Sequence, residues 1–328
     1  SYRGAPLAGR IEPALDIFFR AAKEHGLDLD FHVDESDSPD ARSLVFDIPA
    51  ESAARFAYKP GQFLTLRIPS ERTGSVARCY SLASSPHTDT TLKVTVKRTA
   101  GGYASNWICD NVRTGDTIEV LPPSGQFTPK TFGGDFLLLA AGSGITPVIA
   151  IAKSLLAEAS GKVALIYANR DEHNVIFAAE LRALQARNPG RFAVVHWLES
   201  VQGLPTANLL ATLLAPWSGR ETYLCGPGPF MDAVHQALDK LRVPRSRIHT
   251  EVFNSLAGDP FTDTAPTELT GAEQADSATV EVELDGEVHE LNWPRKQTLV
   301  DIMLAAGIDV PYSCQEGECG SCACTVVS

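Results

Sequence analysis

Apolar positions recur at two periods along this chain, and the changes of period divide it. Ile11, Leu15, Phe18, Phe19 and Ala22 sit at helical spacing and predict an amphipathic helix over 11–25. From 31 to 132 the pattern shortens to alternating segments at 43–48, 62–68, 77–83, 92–98 and 117–121. Lys59-Pro60-Gly61 and Pro122-Pro123-Ser124-Gly125 punctuate them as turns. Short strands between Gly/Pro turns predict an antiparallel barrel or sandwich.

After Gly133-Gly134 the rhythm changes again. Residues 136–140 form a continuous apolar run, as expected of a strand covered on both faces. Strands are predicted at 163–168, 192–198, 222–225 and 248–253, alternating with helices at 147–159, 176–187, 207–214 and 229–241. That alternation predicts a parallel α/β sheet. Residues 255–277 are acidic and poor in large apolar side chains, and read as an exposed linker. Beyond them Val280, Val282 and Leu284 alternate, Asp285-Gly286 signals a tight turn, and 288–293 returns as a hairpin. Thr298 with Asp301 reads as a capping box for a helix that Gly307 ends. The expected organisation is an N-terminal helical extension (1–30), a β domain (31–132), an α/β domain (133–254), a linker (255–277) and a cysteine-bearing domain (278–328).

Composition narrows the function. The chain has 328 residues, 44% hydrophobic and 21% charged, ordinary values for a globular protein. No apolar run approaches the roughly 20 residues of a membrane-spanning helix, and charges scattered through the first thirty residues argue against a secretory leader. Forty acids against 28 bases give a net charge of −12, the wrong sign for a phosphate-backbone binder, so no nucleic-acid partner is expected. Of seven cysteines, Cys79, Cys109 and Cys225 stand alone while Cys314, Cys319, Cys322 and Cys324 cluster. A disulfide scaffold spreads its cysteines; a cluster points to metal chemistry in a reducing, cytoplasmic setting.

Three groups of residues carry candidate chemistry. Cys314-x4-Cys319-x2-Cys322 has the opening spacing of a plant-type 2Fe–2S site, for which thiolates are the suited ligands. A structural zinc knot is the alternative, although zinc sites usually pair C-x2-C units or add His. Cys324 is expected to be a small buried residue. The plant-type pattern needs a fourth cysteine well downstream, so that ligand is expected beyond Ser328.

Gly142-Ser143-Gly144-Ile145-Thr146-Pro147 follows a buried strand and opens a helix, where backbone amides can face a phosphate. Alone it is equally a tight strand–helix turn. Cys225-Gly226-Pro227 ends a later strand, at the edge where open α/β sheets bind ligands, and the two loops together predict a dinucleotide site. Arg78-Cys79-Tyr80-Ser81 puts a cation, a ring and a hydroxyl on one strand, Arg78 and Tyr80 on one face and Ser81 on the other. It reads either as a surface strand or as a site for a diphosphate and a planar ring. Gly101-Gly102-Tyr103-Ala104-Ser105-Asn106-Trp107 reads as an ordinary capped turn or a phosphate cradle.

In combination and order these motifs resemble the ferredoxin–NADP reductase superfamily, over about residues 31–328. Within it the chain is similar to reductases that run flavin domain, pyridine-nucleotide domain, ferredoxin domain. Those serving steroid-ketone 9-alpha-hydroxylation look nearest, with those serving phenylacetyl-CoA epoxidation second. The resemblance implies an antiparallel β-barrel, a parallel-sheet α/β domain and a β-grasp ferredoxin domain, the last incomplete in 278–328. It assigns Arg78, Tyr80, Ser81, the backbone of Val96 and Lys97, and the Gly102, Ala104, Ser105, Asn106 loop to FAD. Gly142, Gly144, Thr146, Pro147, Cys225, Gly226 and Pro227 would hold NADH, and Ser81, Cys225 and Glu251 would stand at the reacting centre. Cys314, Cys319 and Cys322 would ligate the 2Fe–2S cluster. Nicotinamide gives two electrons as hydride and the cluster takes one, so flavin bridges them. The resemblance also implies a monomer passing electrons to a separate terminal oxygenase, a Rieske-type enzyme acting on a steroid ketone.

Overall fold

The computed structural model describes residues 30–35, 38–256, 260–261, 277–284, 286–294, 297–308, 310, 322 and 324. The helix expected over 11–25 and most of the linker lie outside them. The chain forms two units, residues 1–255 and 256–328.

The first unit begins with six strands: β1 (Asp30–Glu35), β2 (Ala41–Asp47), β3 (Phe63–Ser70), β4 (Gly74–Ser81), β5 (Leu92–Lys97) and β6 (Val120–Ser124). They pair antiparallel as β1-β2-β5 and β4-β3-β6, and a bridge between Leu82 and Val94 joins the two sheets. The alternation read from the sequence becomes a closed apolar interior: Leu44, Phe46, Leu64, Leu66, Ile68, Val94, Val96 and Val120 are all buried. Helix α1 (Tyr103–Asn111) plugs this barrel-like domain with Ala104 and Ile108.

One expected turn is strand instead. Val120–Ser124 runs through Pro122 and Pro123. It is an edge strand whose register against β3 shifts between Phe63 and Thr65. At an edge or a bulge a missing N–H costs no ladder bond, so prolines are tolerated there.

The rest of the unit is a five-stranded, all-parallel sheet in the order β11-β10-β7-β8-β9. The strands are β7 (Phe136–Ala141), β8 (Val163–Asn169), β9 (Phe192–Leu198), β10 (Glu221–Cys225) and β11 (Ile248–Glu251). Helices α2 (Ile145–Glu158) and α3 (Ala178–Arg187) pack on one face; α4 (Ala207–Leu214) and α5 (Gly228–Lys240) pack on the other. In β7, Leu138 and Ala140 join the first core while Leu137, Leu139 and Ala141 join the second, which is why the strand is apolar throughout.

Several boundaries moved, two of them for a visible reason. Strand β11 ends at Glu251 rather than 253, because its neighbour β10 ends opposite at Cys225 and offers nothing further to pair with. Helix α3 starts at Ala178 because Phe177 takes a left-handed conformation, φ 63°.

In the second unit β12 (Ser277–Leu284) and β13 (Glu287–Pro294) form the expected hairpin, and α6 (Leu299–Ala305) follows. The capping box is present in both directions: Asp301 N–H donates to Thr298 Oγ1, and Thr298 N–H donates to the Asp301 carboxylate. Val300, Met303 and Val310 form a small core against which Cys322 packs. Cys324 is exposed, not buried as expected. An extended chain would put Cys322 and Cys324 on one face, but Cys322 lies in a turn against the small core and Cys324 does not join it. Among the described residues no helix is long and apolar enough to cross a membrane.

Candidate functional site

The strand order places the site. Chain connections run outward from β7 in both directions, through β8 and β9 on one side and β10 and β11 on the other, so the loops after β7 and β10 part at a topological switch point. The loop after β7 is Gly142–Gly144 and the segment after β10 is 226–227, the two glycine segments singled out above. They touch. A methyl group built on Gly144 would lie 2.2 Å from the carbonyl oxygen of Cys225, and one on Gly226 would lie 3.0 Å from Ala141 Cβ.

Where the loop after β7 meets the barrel there is a cleft of about 270 Å³. Arg78, Cys79, Tyr80 and Ser81 line it from the end of β4, and Thr95 and Lys97 from β5. Thr99, Gly102, Tyr103, Ala104 and Ser105 line it from the loop and first turn of α1; Ser143 and Thr146 come from the start of α2. Phe253, Asn254 and Ser255 come from the segment after β11. All four residues of the Arg78–Ser81 strand border the cleft, and Leu82, one residue later, bridges to Val94 of the other sheet.

Several features suit an anionic, ring-bearing ligand. Helix α1, with Gly102 at its N-cap, has no side chain capping its first turn, which leaves N–H groups there for a ligand; in α2 the Ile145 N–H already reaches Gly142 O and Ser143 O, and Pro147 has none. Arg78 supplies a cation. Tyr80 packs its ring against the barrel core, and burial pushes its phenol far up, so it stays neutral. Lys97 extends over Gly142 and donates to Asn174 Oδ1 at 3.4 Å; burial, then Arg170, draws its ammonium down. Gly142 has φ 53°, and its carbonyl accepts from the Tyr167 hydroxyl at 3.0 Å.

Beneath the cleft, Cys225 and Glu251 are register partners on adjacent strands. Cys225 is fully buried, and burial with Glu251 nearby pushes its thiol well up. Burial pushes the Glu251 carboxyl up to about 7. Neither lines the cleft, nor do Gly142, Gly144, Pro147, Gly226 or Pro227, which form the switch-point loops and helix start.

Val96 turns its side chain into the barrel core. Asn106 is absent from the wall and braces the loop instead: its amide donates to Thr99 O at 2.9 Å and Gly102 O at 2.5 Å, and its oxygen accepts from Arg98. Thr95, Thr99, Asn254 and Ser255 were not anticipated. Thr95 was findable, since it lies two residues before Lys97 on one strand face. Cys314 and Cys319 lie outside the described residues, and among the described ones no three His, Cys, Asp or Glu side chains gather as a metal site.

Three family models match in succession: an oxidoreductase FAD-binding domain over residues 29–128, an oxidoreductase NAD-binding domain over 138–236 and a 2Fe-2S iron-sulfur cluster binding domain over 282–328. The chain is 69% identical over 291 residues to the 3-ketosteroid-9-alpha-monooxygenase ferredoxin reductase component of Rhodococcus rhodochrous, covering 89% of this chain and 83% of that protein. To the protein of the same name from Mycobacterium tuberculosis H37Rv it is 57% identical, covering 90% and 82%. Among solved structures it resembles the Amycolatopsis cytochrome P450 reductase GcoB, with TM-score 0.58 and 27% identity over 68% of this chain and 69% of that one.

Proposed function

Because this chain belongs to the family of ferredoxin reductase components with FAD-binding, NAD-binding and 2Fe–2S domains in that order, we propose that it oxidises NADH to supply a terminal oxygenase with single electrons. The observation that carries this reading is the cleft, where the flavin-type strand Arg78–Ser81 meets Ser143 and Thr146 of the nucleotide-type loop after β7. Bound FAD supplies the exchange between a two-electron hydride donor and a one-electron acceptor. The residues position and insulate it.

In this reading Arg78 and the open N-terminus of α1 hold the diphosphate, Tyr80 lies against the ring and Ser81 stands by its reactive edge. The backbone of Val96 and Lys97 completes the flavin site, while Gly102, Ala104 and Ser105 shape the loop that Asn106 braces. Gly142, Gly144, Thr146 and Pro147 with Gly226 and Pro227 receive the dinucleotide, and Cys225 and Glu251 flank the nicotinamide. Cys314, Cys319 and Cys322 ligate the cluster. NADH is the donor: Asp171 is held as a fixed acceptor by His173 N, Asn174 N and Asn174 Nδ2, a charge that opposes a 2′-phosphate near Arg170.

The oxygenase acts on a 3-ketosteroid, the substrate that the two relatives' names carry, and is a Rieske-type enzyme, as the family resemblance implies. The reductase acts as a cytoplasmic monomer, a reducing setting that suits clustered thiols. Purified protein, NADH and Rieske-type oxygenases should together hydroxylate a 3-ketosteroid. NADH oxidation with no steroid product would leave a reductase with a different partner. Failure of NADH to bleach the flavin would leave a cofactor-binding subunit without turnover.

A further inference from the structure

Two helical turns from the cleft, the two halves of the first unit are joined by a buried lysine set between part-buried carboxylates. Lys153, on α2, is 5% exposed, and its ammonium sits between two carboxylates: Asp89 at 2.6 Å and Glu180 at 2.8 Å. Asp89 belongs to the barrel and Glu180 to α3 of the α/β half. Lys93 of β5 reaches the other oxygen of Glu180 at 3.4 Å. Two cations and two anions thus alternate across the boundary, one of each sign from either half.

Neutral contacts continue the seam. Ser85 and Ser154 share a buried hydrogen bond of 2.7 Å, and the Asp89 carboxylate accepts from Ser85 N at 2.7 Å, which fixes the barrel loop that carries both.

The elements that make this junction also make the cleft. On α2, Thr146 and Lys153 are two turns apart on one face, about 10 Å along the axis at 1.5 Å per residue. On β5, Lys93, Thr95 and Lys97 share a face by alternation. The same two elements therefore carry the junction at one end and cleft walls at the other.

A buried ion pair adds little net stability over apolar packing, because desolvation consumes most of the attraction. What it supplies is a single geometry. An apolar helix face can slide against a barrel; an ammonium seated between two carboxylates from different domains cannot. We infer that Lys153 is a positioning residue for hydride transfer: by bridging Asp89 and Glu180 it fixes the nucleotide half against the flavin half, and so sets the nicotinamide over the flavin ring.

This rests on the reading that the barrel holds the hydride acceptor and the α/β half the donor. The test is single-turnover flavin bleaching by NADH in the full, FAD-loaded chain, comparing wild type with Lys153→Met, Glu180→Gln and Lys153→Arg. Lys153→Met and Glu180→Gln should lower the limiting rate at saturating NADH by tenfold or more. The NADH concentration giving half that rate should move less than twofold, and FAD content should stay at the wild-type level. The charge-transfer absorbance of reduced flavin with NAD⁺ should weaken in parallel, and Lys153→Arg should recover most of the rate. If Lys153→Met does not fold, Glu180→Gln, nearly the same shape with one charge removed, decides alone. Wild-type limiting rates in Glu180→Gln, or losses that merely track FAD content, would overturn the inference. A wild-type protein that NADH does not bleach would sink the functional reading along with it.

Discussion

Gly144 and Cys225 approach so closely that a single methyl group on the glycine would overlap the cysteine's carbonyl oxygen, 2.2 Å away. Their contact joins the loop after β7 to the end of β10, at the floor of the crevice proposed for the nucleotide. Gly144 has an ordinary helical φ, so the need for glycine here is close approach and not backbone freedom. Gly144→Ala should force the loops apart at a cost of about 1–3 kcal/mol. Expressed on NADH affinity, that is roughly a fivefold to hundredfold rise in KM. The flavin spectrum should be unchanged, and an unchanged KM would show that the crevice floor is not where the nucleotide binds.

Glu251 should leave a pH signature. Its carboxyl moves from the ordinary 4.5 up to about 7 through burial. Between those values the folded protein holds a proton that the unfolded chain releases, so stability falls as pH rises across the window. The contribution is fully present below about 4.5 and lost once pH passes about 7. Glu251→Gln has no such slope and should gain on wild type from pH 5 to pH 8. Urea midpoints at the two pH values give the comparison; parallel shifts in both proteins would mean that Glu251 is not the group responsible.

The sequence announced what is local and hid what is assembled. Strand β7 was legible because an uninterrupted apolar run has one economical home, between two helix layers. Thr298 and Asp301 were legible because a capping box is written in four residues. The Arg78–Ser81 strand and the Gly102–Ser105 loop were found as motifs, but nothing local says that they face Ser143 and Thr146 across one cleft; that follows from strand order. Lys153 was invisible, since a lysine in a helix reads as solvated until Asp89 and Glu180 arrive from positions 64 residues before and 27 after it in the chain. Pro122 and Pro123 misled because a double proline spells a turn everywhere except an edge strand.

Arg78 lines the cleft as a cation, and in the proposed flavin site Arg78→Ala removes a charge-assisted contact worth about 1.5–3 kcal/mol. FAD retention through gel filtration should fall accordingly, by roughly tenfold to a hundredfold in affinity. Recovery of FMN and no FAD from the denatured wild-type protein would overturn the choice of cofactor that this prediction assumes.

Asn106 should act on the same cofactor from behind the wall. Its two amide donations to Thr99 O and Gly102 O hold the loop, while its oxygen receives Arg98. Asn106→Asp keeps the acceptor for Arg98 but loses both donations, and turns a carboxylate toward two carbonyls. FAD should dissociate faster from Asn106→Asp than from Asn106→Ala, because the alanine removes the brace without adding repulsion. The reverse order of off-rates would point to a direct contact between Asn106 and the flavin.

The cysteines of the second unit separate by environment. Cys322 is half-buried against the core of Val300, Met303 and Val310, whereas Cys324 is exposed. They stand two positions apart, so alternation alone would admit either as a cluster ligand. Iron–sulfur centres are tuned by the polarity and solvent access of the shell around their thiolates, and a ligand anchored in a core holds its sulfur in a fixed place. Cys322 meets that condition and Cys324 does not. In a version carried past Ser328 to the expected fourth ligand, electron paramagnetic resonance of the reduced protein should therefore show a 2Fe–2S signal that Cys314→Ser, Cys319→Ser and Cys322→Ser each abolish and that Cys324→Ala leaves intact. Loss of the signal in Cys324→Ala, with flavin bleaching by NADH unimpaired, would make the exposed thiol a ligand and place the fourth iron contact within residues 314–324.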